Sequence, residues 1–131
     1  MKVDKASRYT RTHEWVRAEG AEVVSGITDY AQEQLSDIVY VELPAVGDHF
    51  DKGEVYGVVE SVKAASDCYM PLAGTIVAVN EALVDSPQTV NEDPYFAGWF
   101  IRFTPDDPRA IDALMDAAAY EQYASSLEGA H

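Results

Sequence analysis

Only one cysteine, Cys68, occurs in the 131 residues. One thiol can form no internal disulfide and cannot by itself hold zinc. It lies in Ser66-Asp67-Cys68-Tyr69-Met70, a strand-like run in which a buried cysteine acts as a small hydrophobe. A nucleophilic thiol needs an electropositive setting, and Lys63 is the nearest cation in the sequence. His13, His49 and His131 are scattered without metal-ligand spacing and read as surface or turn residues. Basic residues are scarce, 9 Lys plus Arg against 23 Asp plus Glu, for a formal charge of −14. That balance argues against nucleic acid and against an anionic membrane surface. It suits solubility and steering toward basic faces of partner proteins. No run approaches the roughly 18 apolar residues of a membrane span. The first residues, Met1-Lys2-Val3-Asp4-Lys5, lack the apolar region of a secretory signal, and no Arg-rich, acid-poor transit segment is visible. The expectation is a cytoplasmic protein, with a mature mitochondrial form that has lost its presequence as the other option. Motifs of catalysis are missing too: no G-x-S-x-G elbow, no P-loop, no G-x-G-x-x-G and no metal-ligand cluster.

What is present is a series of short β-prone runs separated by glycine and proline. Residues 9–17 and 21–27 read as strands, with Ala18-Glu19-Gly20 as the loop between them. Thr28 or Asp29 can cap a short helix through Leu35; the Asp29 register would place Gln32 at the capping-box position. Ile38–Leu43 alternates as a half-buried strand, with Val39, Val41 and Leu43 on one face, and Pro44 stops it. Two turns follow, at 45–48 and 51–54. Strands through Met70 and over 75–79 flank a turn at 71–74. Asn80 is placed to cap a helical turn over 81–84, residues 91–94 read as a turn, and 98–103 as an aromatic strand. Asp107-Pro108 opens a C-terminal helix, on which Ile111, Leu114, Met115, Tyr123 and Leu127 form a stripe, with fraying expected over 125–131. Seven or eight strands, small inserted helices and no linker predict one domain over 1–131, mainly β, a compact sandwich or flattened barrel.

The stretch Gly57-Val58-Val59-Glu60-Ser61-Val62-Lys63-Ala64-Ala65 stands out, because it sets one of the few lysines between Val62 and two alanines inside an apolar, turn-bracketed run. A solvated hairpin lysine is one reading. An attachment point for a swinging arm is the other: such a site needs an exposed amine, a rigid backbone and small neighbours. Valines on the strand and Ala64 and Ala65 beyond the lysine meet those needs.

Val59-Glu60-Ser61-Val62-Lys63-Ala64 resembles the lipoyl-attachment signature of glycine cleavage system H proteins. The resemblance continues through His13-Glu14-Trp15, Gly26-Ile27-Thr28, Asp37–Pro44, Val46-Gly47, Pro71–Gly74, Val79-Asn80, Pro87, Asn91, Asp93-Pro94-Tyr95 and Gly98-Trp99. Each motif is short; their order and spacing together are specific. The resemblance implies a barrel-sandwich hybrid of two antiparallel sheets with short inserted helices and a C-terminal helix. It implies lipoic acid in amide linkage to Lys63, with Glu60, Ser61, Val62 and Ala64 as the motif's flank. It further implies a carrier rather than an enzyme, a monomer that collects an aminomethyl group at the P protein (glycine decarboxylase) and delivers it to the T protein (aminomethyltransferase). The L protein (dihydrolipoamide dehydrogenase) would reoxidise it, and a lipoate-attaching enzyme would load it. One or both of Glu14 and Asp67 are expected to line a cleft in which the loaded arm folds back, its amine drawn to a carboxylate; the alternative is that both are solvated surface acids. Ser36 departs from the glycine common after the family's helix, and Cys68 and Met70 depart from more ordinary apolar or small residues.

Other readings stay open on the residues alone. A biotin-type carrier presents its lysine on the same kind of hairpin but usually between methionines. A lipoyl domain of a 2-oxoacid dehydrogenase usually has Asp before the lysine and a flexible linker. A lipoyl or octanoyl relay, or an acidic interaction module with Lys63 unmodified, would serve different functions with the same scaffold.

Overall fold

In the computed structural model, which describes residues 1–128, two antiparallel sheets face one another. The strands are β1 (Arg8–Tyr9), β2 (Glu14–Glu19), β3 (Glu22–Ile27), β4 (Ile38–Glu42), β5 (His49–Phe50), β6 (Val55–Ser61), β7 (Ala65–Tyr69), β8 (Gly74–Val79) and β9 (Ile101–Pro105). Six form one sheet in the order β1-β2-β3-β9-β8-β5, and β4-β6-β7 form the other. The helices are α1 (Asp29–Leu35), the single turns α2 (Ala82–Asp85) and α3 (Thr89–Glu92), a 3-10 turn at Pro108–Ala113 and α4 (Ala117–Glu128).

Alternation along the strands gives the larger sheet two buried faces. Val16, Val23, Ile76, Ile101 and Phe103 join Ile38, Val41, Val59 and Cys68 of the smaller sheet, and Met70 just past β7, in the main core. Tyr9, Trp15 and Val24 belong to a second cluster, with Tyr30, Tyr95 and Tyr120, closed by α4. Truncating a fully buried member such as Phe103 or Trp15 to Ala would cost about 3–5 kcal/mol. Gly57 lets β6 approach β4: a Cβ there would collide with the Glu42 carbonyl oxygen.

Several expected elements differ in the structure, each for a local reason. The run 9–17 is two strands, because the chain doubles back at Thr10–His13, where the His13 amide donates to the Thr10 carbonyl at 3.2 Å and His13 takes φ 70°. The β2–β3 turn is only Gly20-Ala21, with Gly20 at φ 66°. Thr28, not Asp29, caps α1; its hydroxyl accepts from the Ala31 amide at 3.2 Å, and Gln32 instead donates to the Asp29 side chain at 2.8 Å. A bulge between Ile38 and Tyr40 breaks the alternation of β4, so Ile38 and Val41 are buried while Val39 is exposed. Asn80 caps nothing: it is buried and donates to the Ala97 and Trp99 carbonyls at 2.8 Å each. Those bonds hold 97–99 outside the sheet, so the last strand is 101–105 rather than 98–103. Residues 89–92, partly read as a turn, form a helical turn.

The C-terminal helix is split. Asp107 does cap a first turn with Pro108 at its start, but Met115 pairs with Tyr9 as an isolated β-bridge, and α4 starts only at Ala117. Tyr120 and Ala124, absent from the expected stripe, are its fully buried residues. Helix continues through 125–128, where fraying was expected; 129–131 and His131 lie outside the described residues.

Ser36 ends α1 at φ 69° and ψ −152°, a region open to glycine and strained for other residues. Asn91 braces it, donating to the Ser36 carbonyl at 2.9 Å and accepting from the Ile38 amide at 2.9 Å. Ser36→Gly is therefore expected to stabilise the chain by about 1 kcal/mol, read as a raised urea midpoint; an unchanged or lowered midpoint would show the conformation to be unstrained.

Candidate functional site

Strands β6 and β7 form a hairpin whose turn is Val62-Lys63-Ala64. β6 is paired on both edges, with β4 in the register Ile38↔Ser61 and with β7 in the register Glu60↔Ala65. The Ser61 hydroxyl is fully used inside the turn. It donates to the Ala64 carbonyl at 3.0 Å and accepts from the Lys63 and Ala64 amides at 3.1 and 3.0 Å, filling its one donor and two acceptor positions. The Val62 amide adds a bond to the Asp37 carbonyl at 3.0 Å, tying the tip to the α1–β4 connection. Glu60, Val62, Lys63 and Ala64 are exposed, Val62 at 69%. The Lys63 ammonium donates to the Gln34 carbonyl near the C-terminal end of α1 at 3.2 Å and has no carboxylate partner among the described residues. The tip thus presents an exposed amine on a constrained backbone.

Beside it opens a cleft of about 260 Å³. The β1–β2 turn and β2 supply Thr12, His13 and Glu14; α1 supplies Tyr30, Gln34 and Leu35; β6 and β7 supply Val59, Ser66 and Asp67. Gln34 belongs to both places, lining the cleft and accepting from Lys63, so the lysine stands at the cleft's edge. The tertiary structure brings Glu14 and Asp67, 53 residues apart in the chain, to one cavity.

The two acids are not equivalent. Asp67 is exposed on β7, at the rim. Glu14 is 1% exposed, which the solvated alternative did not foresee. Its carboxyl accepts from the Thr10 hydroxyl at 2.7 Å, from the Thr12 hydroxyl, and from the Tyr69 amide at 3.4 Å. Burial pushes the group up to about 7, against the opposing pull of those three donors. A carboxyl raised to this range changes its ionisation readily near neutral pH, and a nearby cation would favour the charged form.

His13 also departs from expectation. It is half-buried, its ring lies tilted against Tyr30 with centroids 4.8 Å apart, and burial lowers its basicity. His49 is the exposed residue anticipated, bonded to Asp106 at 2.7 Å. Cys68 and Met70 are both 1% exposed, and burial drives the thiol well above its ordinary range, as expected of an inert core cysteine. Sequence reasoning missed Thr10, Thr12, Gln34 and Tyr120. The Thr-x-Thr-x-Glu spacing of 10–14 was the one signal available for the first two.

The glycine cleavage H-protein family model matches residues 7–127. The chain belongs to the glycine cleavage H-protein family. It is 53% identical to a glycine cleavage system H protein of Anaeromyxobacter sp. (strain K) over 128 residues, 98% of this chain and all of that one. It is 56% identical to that of Myxococcus xanthus (strain DK1622) over 113 residues, 86% of this chain and 88% of the relative. A crystal structure of a glycine cleavage system H protein from Mycobacterium marinum superposes with a TM-score of 0.83 at 40% identity, covering 96% of this chain and 99% of that one. As a member of this family the chain is a carrier subunit and not itself an enzyme. Its fold is the two-sheet, mainly β architecture expected. Among the described residues no helix is long and apolar enough to cross a membrane.

Because the folded state holds the Glu14 proton more tightly than the usual 4.5, the stability linked to it is present in full below that value. It is lost as pH rises through about 7. Glu14→Gln, neutral at every pH, should therefore exceed the parent by up to about 3 kcal/mol at pH 8. At pH 5.5 the gap should narrow to less than half of that; urea titrations at the two pH values measure it, and a pH-independent gap would exclude a raised Glu14.

Proposed function

We propose that the whole chain, 1–131, is a single lipoyl-bearing shuttle of the glycine cleavage system, with lipoic acid in amide linkage to Lys63. The observation that carries this is an exposed, uncrowded amine on a braced hairpin tip beside a cleft with a buried carboxyl. The residues fit the group. The amine is reachable, Ala64 and Ala65 leave room around it, and the cleft has apolar walls in Ile27, Leu35 and Val59. Attached at Lys63, the dithiolane would supply the sulfur chemistry of aminomethyl carriage between the P protein and the T protein and of reoxidation by the L protein.

The chain's own residues then have three tasks. Ser61, with Val62 bonded to Asp37, fixes the direction in which the arm leaves, so that each partner meets one geometry. Tethering at Lys63 raises the effective concentration of the cargo at every partner. Glu14, with Asp67 at the rim, attracts the ammonium of a folded-back arm; an approaching cation lowers the Glu14 carboxyl from about 7 and ionises it, while the walls exclude water. The acidic surface, −14 in all, favours enzymes with basic faces, among them the lipoate-attaching enzyme. We place the protein in the cytoplasm and as a monomer.

Intact mass and peptide mapping test the assignment: a lipoyl adduct is expected on Lys63 and none in Lys63→Arg, which should fold normally and support no glycine cleavage. A biotin adduct, or none in a host with active lipoylation, would overturn it. The adduct's lifetime should fall at least several-fold in Glu14→Ala and by less in exposed Asp67→Asn; unchanged lifetimes in both would remove the cleft's role.

A further inference from the structure

His13 adjoins Glu14 in the cleft wall at φ 70°, a conformation that Asn, Asp and His tolerate better than other side chains with a Cβ. Its ring is clamped by Tyr30 at 4.8 Å, by Tyr120 edge-on at 5.8 Å and by Tyr123 at 5.9 Å. Its Nδ1 lies 2.8 Å from the Tyr120 hydroxyl, which in turn lies 2.7 Å from Thr28 Oγ1. This chain of three polar groups connects the C-terminal helix α4 to the α1 cap and to the cleft.

The protons along it follow from satisfaction of buried groups. Thr28 is fully buried, and its hydroxyl accepts from the Ala31 amide at 3.2 Å. Among the described residues the only acceptor for the Thr28 proton is the Tyr120 oxygen. If Tyr120 donated to Thr28 instead, a buried O–H would be left unpaired, at a cost of about 1–3 kcal/mol. Thr28 therefore donates to Tyr120, and Tyr120 donates to His13 Nδ1. A neutral imidazole that accepts at Nδ1 carries its proton on Nε2. Nε2 has no partner among the described residues.

We propose that His13 is an arm-binding residue, a neutral Nε2–H donor on the cleft wall that hydrogen-bonds the sulfur end of an arm seated beside Glu14, and that Tyr120 of α4 is the positioning residue that sets its tautomer. The assignment rests on the carrier reading of Lys63. A neutral donor suits the place, since a cationic ring next to Glu14 would repel the ammonium that the carboxyl attracts. Burial, which lowers the basicity of His13, keeps the ring in that form. The C-terminal helix, which packs mainly against aromatic side chains, thereby becomes part of the site rather than only a lid on the second core.

Long-range proton–nitrogen spectra of the whole chain test this. His13 should show the Nε2–H tautomer in the unmodified protein, and Tyr120→Phe should move it toward Nδ1–H. In the lipoylated, reduced protein loaded with ammonia and formaldehyde, which condense on a thiol with loss of water, the His13 Nε2 proton should move downfield. Adduct lifetime should drop several-fold in Tyr120→Phe and in His13→Asn, the latter keeping a residue suited to positive φ. An Nδ1–H tautomer in the parent chain overturns the proposal even if neither variant folds. Absence of lipoyl mass on Lys63 would bring down the carrier reading and the arm contact together. A loaded arm whose lifetime depends on Glu14, with the His13 proton unmoved, overturns this assignment alone.

Discussion

Pairing of β6 along both edges is the constraint from which the rest of the molecule takes its geometry. A strand bonded to β4 on one side and β7 on the other cannot twist independently, so its end, the Val62–Ala64 turn, is held where two neighbours put it. Gly57 makes this possible by letting the β4 backbone come close. The Ser61 hydroxyl then closes the turn with three bonds, and the Asp37 carbonyl ties it to the connection that leaves α1. The lysine's own side chain reaches out from this braced tip into the open.

The same connection explains why strain is kept at Ser36. Helix α1 must end beside the hairpin and the chain must turn at once into β4, so the linking residue adopts a backbone conformation unfavourable to a serine, braced by Asn91. On the other side of the cleft a second cost appears. Glu14 is buried in a chain with 22 other acids at its disposal for the surface, and that burial raises its affinity for a proton. A buried carboxyl with three donors and, among the described residues, no cationic partner weakens the fold at neutral pH, and such costs are characteristic of sites that await a charged ligand. Ser36 follows Leu35, a residue of the cleft wall, and Glu14 lies in that wall, so both costs fall close to one cavity.

Much of the fold was legible because its signals are local. Glycine at 20, 47 and 53 and proline at 44 and 71 divide the strands, and Thr28 and Asp107 announce helix starts. The misreadings occurred where a distant contact overrides the local pattern. Met115 is drawn into a bridge with Tyr9, which breaks a continuous helical stripe. Asn80 spends its side chain on carbonyls 17 and 19 residues away instead of on a cap. The β4 bulge turns Val39 outward although its alternation was regular.

The site divides the same way. Lys63, its flank and its placement on a hairpin could be read from residues 57–65, because attachment depends on a short contiguous motif and a turn. The family could be read from the order of many such motifs. Which of the two acids is buried, that His13 belongs to the cleft, and that Tyr120 reaches it from α4 could not, since these depend on packing between segments up to 107 residues apart. Sequence determined the hairpin and its lysine through local backbone preference. Only the tertiary packing that buries Glu14 raised its affinity for a proton, because desolvation is a property of everything that surrounds a group rather than of its neighbours in the chain.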